Sequence, residues 1–376
     1  MAGQDRSAKW IETSTGYQTV AGNVGAHCDS QSMALEPLMV RREIREEIEQ
    51  QFLAKGATVS SGAGNRNRPE DPDPMRTAFE RDRDRILHST AFRRLAGKTQ
   101  VFIFPNDHQR TRLTHALEVS QVAAAVSRAV GLNVALTEAI ALGHDCGHGP
   151  GGHASEDAFS IFLAKGYDHA VWGADHTLEN LNLCLETLDG IRNHSWSRPQ
   201  PFTYEGAVVS FADRIAYCAH DLEDAIKAEV VSSASIPEAV TCVTGATRSG
   251  QLSYFISDMV QTILRAGEVA MSPTAAAALG ELRKFNYDNI YMRPDSLEQS
   301  ETVIKILSML VQYYIENPKE INGHSPFDPD DGPLDLITAS IGYVSGMTDR
   351  FAFQKAVDML GLDPLSLPKG IDLTHR

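Results

Sequence analysis

Long apolar runs are missing from this chain. A membrane-spanning helix needs about 18 or more consecutive apolar residues. The most apolar region, Val119 to Leu142, is broken by Arg128, Asn133 and Glu138. No membrane span is therefore expected. The first thirty residues mix charge and polarity without an apolar signal core, so secretion is not indicated either. Cysteine is sparse. The five (Cys28, Cys146, Cys184, Cys218, Cys242) are scattered, odd in number and form no C-x-x-C pair. Reduced thiols in a cytoplasmic protein fit that usage better than a disulfide frame or a zinc ribbon. Positive charge is also in deficit, with 34 Lys and Arg against 49 Asp and Glu, a net -15. Broad capture of nucleic acid needs a basic face, so nucleic acid is not an expected partner.

One stretch runs against that balance. Between Arg76 and Arg112 stand nine basic residues (Arg76, Arg81, Arg83, Arg85, Arg93, Arg94, Lys98, Arg110, Arg112) and four acids (Glu80, Asp82, Asp84, Asp107). It reads either as a solvated face laced with i,i+4 pairs or as a pocket for a polyanion, and composition does not choose.

Residues 1 to about 40 show no sustained period and are expected to be loosely packed. Residues 41–55 read as a short charged helix, and the Gly-, Ser-, Asn- and Pro-rich stretch after it as a linker. Residues 1–75 are thus expected to form a flexible N-terminal segment, with the folded body starting near Arg76. From there helical periods dominate. Apolar residues at 113, 116, 119, 122, 123, 126 and 130, then Gly131, predict a helix over 112–130. Asn133 is placed as the cap of a helix running to Gly143, and Ser155 as the cap of one closing at Gly166. Further helices are predicted over about 177–188, 207–228, 251–265, 275–290, 297–316, 334–345 and 349–361. The segment 98–104 (KTQVFIF) is the best strand candidate. The expected fold class is all-α: a helical bundle at 76–230, with additional C-terminal helices at 231–376 packed on it.

Nine of the thirteen histidines fall between 108 and 220, less than a third of the chain. A lone histidine is more often a satisfied structural residue than a ligand. That reading weakens for LGHDCGHGPGGHASE (142–156), where three histidines and two acids sit on a glycine-rich turn between predicted helices. Neighbours at a helix end point about 100° apart, so His144 and Asp145 reach one ion only close to the backbone. A distant imidazole and a distant carboxylate must complete the shell, and His115 and Asp213 are the candidates. Such a set suits Mn, Fe, Co or Zn better than Mg. A bound ion of this kind acidifies water and polarises a phosphoryl oxygen. On the helix over 207–228, Val208, Phe211, Ile215, Cys218, Leu222 and Ile226 form the stripe expected to face the core. Asp213, Tyr217, His220 and Asp224 lie nearly opposite with Asp221 at the flank, and Asp213, Tyr217 and Asp221 at i, i+4 and i+8 read as a site wall. The glycines of 146–153 allow backbone to approach a phosphate chain, but no G-K-[ST] follows, so this is not a P-loop.

The spaced set His115, His144-Asp145, Asp213 resembles the HD superfamily of metal-dependent phosphohydrolases. Five strings more specifically resemble its deoxyguanosinetriphosphate triphosphohydrolase-like branch: RDRDRILHSTAFRRLAGKTQVF (81–102), RTRLTHALEVSQVA (110–123), LGHDCGHGPGGHASE (142–156), EGAVVSFADRIAYCAHDLEDAI (205–226) and SGMTDRFA (345–352). The resemblance spans about 76–362. It implies an HD-domain bundle that hydrolyses deoxynucleoside triphosphates, dGTP first among them, to deoxynucleoside and tripolyphosphate. It gives His115, His144, Asp145 and Asp213 to a divalent ion (Mn, Mg, Fe, Co or Zn). It puts His148, His153, Glu156 and His176 along the phosphate chain and scissile bond, with His153 and Glu156 as the catalytic pair, since i,i+3 spacing lets the carboxylate orient the imidazole. Arg112, Arg214, Tyr217 and Asp221 match phosphate- and sugar-contacting positions, and Gln100 a position near the sugar 3′-hydroxyl. The basic stretch 76–112 then helps to form a triphosphate pocket. Homo-oligomerisation and nucleotide acting as effector are further implications. The family often carries bulkier residues where this chain has Cys146, Gly149 and Gly151. Rival readings are another HD phosphohydrolase, such as a phosphodiesterase or nucleotidase, and a non-catalytic nucleotide sensor.

Overall fold

The computed structural model describes residues 2–19, 22–27, 36–103, 109–321 and 333–369. Cys28, Phe104, Asp107 and His108 lie outside the described residues. The chain divides into two compact units, residues 1–40 and 41–376. The first holds helix α1 (Ala2–Thr13) and a two-stranded antiparallel hairpin, β1 (Tyr17–Gln18) and β2 (Val24–Gly25). Regular structure therefore exists where the sequence shows no period. The strands are two residues long, too short to display an alternation, and α1 leaves Trp10 and Ile11 in solvent instead of building an apolar face.

The second unit is helical throughout its described residues: α2 (Arg42–Phe52), α3 (Ala78–His88), α4 (Thr90–Arg94), α5 (Arg112–Val130), α6 (Val134–Gly143), α7 (Ala154–Ser160), α8 (His169–Trp172), α9 (Leu185–Arg192), α10 (Tyr204–Lys227), α11 (Glu238–Thr244), α12 (Arg248–Ala266), α13 (Pro273–Asn286), α14 (Pro294–Glu316), α15 (Pro333–Ser345) and α16 (Asp349–Leu360). The all-α class follows. α5, α6 and α10 pack on one another, with α3, α9 and α12 against them, around Val119, Val122, Leu136, Ile140, Val208 and Ile215. A second apolar cluster joins α7 to α14, α15 and α16 through Phe159, Val303, Leu307, Leu310, Ile341 and Phe353. Local signals set several ends. Gly131 stops α5, the Asn133 side chain caps α6 by accepting from the Leu136 amide at 3.2 Å, and Thr203 caps α10.

Four expectations are corrected. The strand candidate forms only an isolated bridge between Thr99 and Thr111 among its described residues, because no partner strand runs beside it. Ser155 does not cap a helix reaching Gly166. Its hydroxyl donates to the Gly152 carbonyl at 2.7 Å and accepts from the Gly149 amide at 3.1 Å, knotting the glycine turn, and α7 ends at Ser160. The helix expected over 177–188 is replaced by a π-turn (Gly173–Thr177), a short 3-10 turn and α9. Tertiary bonds decide this: the buried Asp82 carboxylate accepts from the Cys184 amide at 2.8 Å and the Thr187 hydroxyl at 2.7 Å. The stretch read as a linker is fastened to the body. The Arg66 guanidinium pairs with Asp82 at 2.6 Å and donates to the Ala78 carbonyl at 3.0 Å, and Glu205 accepts from the Thr58 amide at 3.1 Å. Gly and Pro density signalled irregular backbone, and buried polar bonds gave that backbone one conformation.

The α15–α16 turn reaches back to the glycine-rich loop. Buried Asp349 accepts from the Thr99 amide at 3.0 Å, the Thr99 hydroxyl at 2.5 Å and the Gly151 amide at 2.9 Å. Buried Lys98 donates to the carbonyls of His148 at 2.5 Å and Ser345 at 2.9 Å. In Asp349→Ala the two amides lose their acceptor. A buried unsatisfied donor costs about 1–3 kcal/mol, and each kcal/mol lowers Tm by roughly 2 °C or less in a chain this long. Thermal unfolding is expected to show a drop of several degrees. A wild-type midpoint would mean that the clasp adds no stability.

Candidate active site

Three helices and one turn converge on a buried polar centre. His144 follows α6, and its Nδ1 lies 2.7 Å from the Ala141 carbonyl. A carbonyl only accepts, so Nδ1 carries the hydrogen and Nε2 presents a lone pair inward. That Nε2 is fully buried and has no hydrogen-bond partner. Asp145 is next in the chain, α5 supplies His115 and α10 supplies Asp213. His115 Nε2 stands 3.0 Å from Asp213 Oδ1 and 4.0 Å from Asp145 Oδ2, while His144 Nε2 stands 3.5 Å from Asp145 Oδ1 and 3.7 Å from Asp213 Oδ1. Ligands held about 2.1 Å from one ion sit roughly 3–4 Å apart. The orphaned imidazole nitrogen and these spacings fit a divalent cation. Burial works against both carboxylates. His115 and the neighbouring imidazoles nevertheless hold Asp213 well below its ordinary range, and Arg112, at 2.7 Å, does the same for Asp145.

A second row of side chains lies beside the quartet. His148 Nε2 is 3.2 Å from Asp145 Oδ1, and its ring stacks on that of His169 at 3.7 Å between centroids. Glu156, on α7, is 2.5 Å from His169 Nδ1 and 3.4 Å from His153 Nδ1. Burial opposes ionisation of Glu156, but the hydrogen bonds from His153 and His169 hold it well below its usual range. Burial would lower His169 as well, yet its bond to Glu156 raises it. His153 is 75 % exposed and faces the cavity.

The sequence reading missed two histidines and misplaced one. His169 opens α8 and lies in the site, whereas His176 does not line the cavity. His176 lies in the π-turn beyond α8, with its ring against Trp172 at 4.2 Å. His194, just past α9, is buried and lines the cavity. The histidine enrichment over 108–220 already contained both.

Above this centre opens a cavity of about 490 Å³. Arg112 enters from its base. Nε and Nη2 of this buried guanidinium have no partner, while Nη1 holds Asp145. At Gly152, φ is +66°, and a Cβ there would come within 3.0 Å of Arg112 Nη2, so glycine keeps the approach open. Gly151 is likewise required, since a Cβ would run into the Val303 side chain. The missing side chain at Gly151 is thus a packing demand of α14, and that at Gly149 one of α7, where a Cβ would run into Phe159 and Ser155. Arg214 lies over the Trp196 ring at 3.4 Å, and the Tyr217 hydroxyl accepts from Arg283 Nε at 2.9 Å. Asp221 pairs with Arg110 and accepts from the Tyr291 hydroxyl at 2.5 Å, and burial pushes its carboxyl above the usual range. Gln100 lines the cavity, with its Oε1 buried and unpartnered. The wall at i, i+4 and i+8 is present as Asp213, Tyr217 and Asp221. His220 and Asp224 turn instead to Glu118 and Arg110.

The basic stretch is corrected too. Of its nine cations only Arg112 lines the cavity. Arg76, Arg81, Arg83 and Arg85 pair with acids of their own neighbourhood (Asp73, Glu70, Asp84 and Glu138 among them), Arg110 with Glu118, Asp221 and Asp224, and Lys98 with backbone. Pairing with partly or fully buried acids thus occupies five of these cations, Arg76, Arg81, Arg83, Arg85 and Arg110.

Several of these rings couple stability to pH. Burial lowers His194 and His220 to about 4 and His148 well below its usual value. Their unfolded counterparts titrate near 6.5. Below that pH the unfolded chain binds protons that the folded chain refuses, so stability falls as pH drops from about 6.5 toward 4. His169, shifted upward, works in the opposite direction. Urea unfolding of EDTA-treated protein is expected to show this loss, and a flat profile over that window would contradict it.

A helical body whose histidines and carboxylates meet between α5, α6 and α10 defines an HD-domain protein. The HD domain family model matches residues 112–218, and the phosphohydrolase-associated domain model matches 269–357. A protein of Caldanaerobacter subterraneus subsp. tengcongensis is 39% identical over 325 residues, covering 84% of this chain and 94% of its own. One from Clostridium perfringens strain 13 is 41% identical over 326 residues, covering 82% and 94%. One from Jannaschia sp. is 35% identical over 361 residues, covering 78% and 91%. Each is named a deoxyguanosinetriphosphate triphosphohydrolase-like protein, and the present chain belongs to that family. Among solved structures, a hypothetical protein from Aquifex aeolicus aligns over 74% of this chain and 71% of its own, at 18% identity and a TM-score of 0.38.

Proposed function

We propose that this protein hydrolyses deoxynucleoside triphosphates, dGTP foremost, to deoxynucleoside and tripolyphosphate, using a divalent cation held by His115, His144, Asp145 and Asp213. The observation that carries this reading is the orphaned His144 Nε2 among those donors, next to Asp145, which is held at 2.7 Å by a buried arginine with two unused nitrogens. A cation bound there supplies Lewis acidity and an acidified water.

The side chains have separable tasks. Arg112 Nε and Nη2 and the Arg214 guanidinium receive phosphate oxygens and hold the charge that gathers on them. Water forms the new bond to the α-phosphorus, the bond to the 5′-oxygen breaks, and that oxygen leaves with a proton. His153 is the accessible imidazole that moves this proton, and Glu156 fixes its ring. His148 and His169 support Glu156 and Asp145 from below. His176 has no part in the chemistry; His169 takes the role expected of it. Gln100, Tyr217 and Asp221 offer the sugar an acceptor, a phenol and a carboxyl. Among the described residues no helix is long and apolar enough to cross a membrane. Homo-oligomerisation and activation by a second nucleotide extend the reading. The metal is one of Mn, Mg, Fe, Co or Zn.

The test is incubation with each dNTP, alone and mixed, with Mn²⁺ or Mg²⁺ and ion-exchange analysis of products. Deoxynucleoside plus tripolyphosphate is the expected result. Orthophosphate or an opened cyclic ester would point to another HD chemistry. Metal and nucleotide binding without turnover would point to a sensor.

A further inference from the structure

We propose that His194 is a further ligand of the cation, joining His144 and Asp213; the inference rests on the cation-site reading above. The chain builds His194 as it builds His144. Each lies just past the end of a helix and turns Nδ1 back to the carbonyl three residues earlier, at 2.7 Å for His144 on Ala141 and 2.8 Å for His194 on Ile191. In both rings Nδ1 is therefore the donor, and Nε2 carries the lone pair toward the centre. An outer hydrogen bond of this kind fixes the tautomer and direction of a metal-binding imidazole. The two rings meet edge to face at 4.9 Å. Donor atoms of His144, His194 and Asp213 all lie within 4.8 Å of one another, and so do those of Asp145, His169 and His194.

His194 is 2% exposed yet lines the cavity, so its ring is out of bulk water but open to an arriving ion. Its Nε2 also stands 3.3 Å from His169 Nε2. A purely structural role would leave His194 as acceptor for His169 alone. The shared geometry with His144 and the nearness of Asp213 favour coordination.

The test loads Co²⁺ into EDTA-stripped wild-type protein and into His194→Ala, His194→Gln and Asp213→Ala. Cobalt affinity is followed by calorimetry and ligand geometry by the visible absorption band. With His194 as ligand, the band changes shape in both His194 variants and cobalt affinity falls by roughly a hundredfold or more, past the ~10–100-fold that losing an outer hydrogen-bond partner costs. Wild-type affinity and an unchanged band in a folded His194 variant, with cobalt lost from Asp213→Ala, overturn the proposal and leave the cation site standing. Wild-type cobalt binding in Asp213→Ala overturns both. If the alanine variant fails to fold, His194→Gln, which keeps the ring's approximate bulk, decides on the same readouts.

Discussion

Asp213→Ala is expected to purify without its cation and to lose turnover by roughly three orders of magnitude or more, since a catalytic cation supplies several kcal/mol and each 1.4 kcal/mol is about tenfold. The carboxylate is held ionised by the imidazoles around it and is the point where α10 meets the histidines of α5 and α6. Its removal leaves His115 and His144 facing one another across a gap without their common anionic partner. Elemental analysis of the purified variant, together with dNTP turnover, checks the expectation. Stoichiometric metal with turnover near wild type would remove Asp213 from the ligand set.

His153→Ala should behave differently. This ring is mostly in solvent and lies outside the quartet. Fold and metal content should therefore be retained, while turnover falls by roughly 10²-fold or more, the scale of losing a proton-transfer group. KM should move little, because Arg112 and Arg214 are the residues proposed to grip the triphosphate. Turnover within a few-fold of wild type would transfer the proton to another imidazole of the row, and His169 would be next to test.

Much of the scaffold was legible because its signal is periodic. α5 begins and ends where the apolar spacing and Gly131 place it, and α6 starts after the Asn133 cap. The convergence of His115, His144, Asp145 and Asp213 was legible because His144-Asp145 is constrained by adjacency: two neighbours can share an ion only in a narrow geometry, which calls for distant partners. Three features were not legible, for one physical reason. His169, Arg66 and the fate of the basic stretch all depend on which buried charge finds which partner across the fold, and sequence spacing does not carry that information. Arg66 meets Asp82, and Glu156 finds His169 thirteen residues along, through packing alone. The placement of His169 at the cavity and of His176 away from it follows likewise, since the π-turn that carries His176 against Trp172 has no sequence period.

Asp349 and Lys98 make the two family-matched segments a lock and its key. One carboxylate near the C-terminal end holds both Thr99, which lines the cavity, and Gly151, in the loop between His148 and His153. A lineage that acquired either segment by recombination would inherit half a fastening. The fine positioning of a site built between α5, α6 and α10 thus depends on a turn roughly two hundred residues downstream of Gly151.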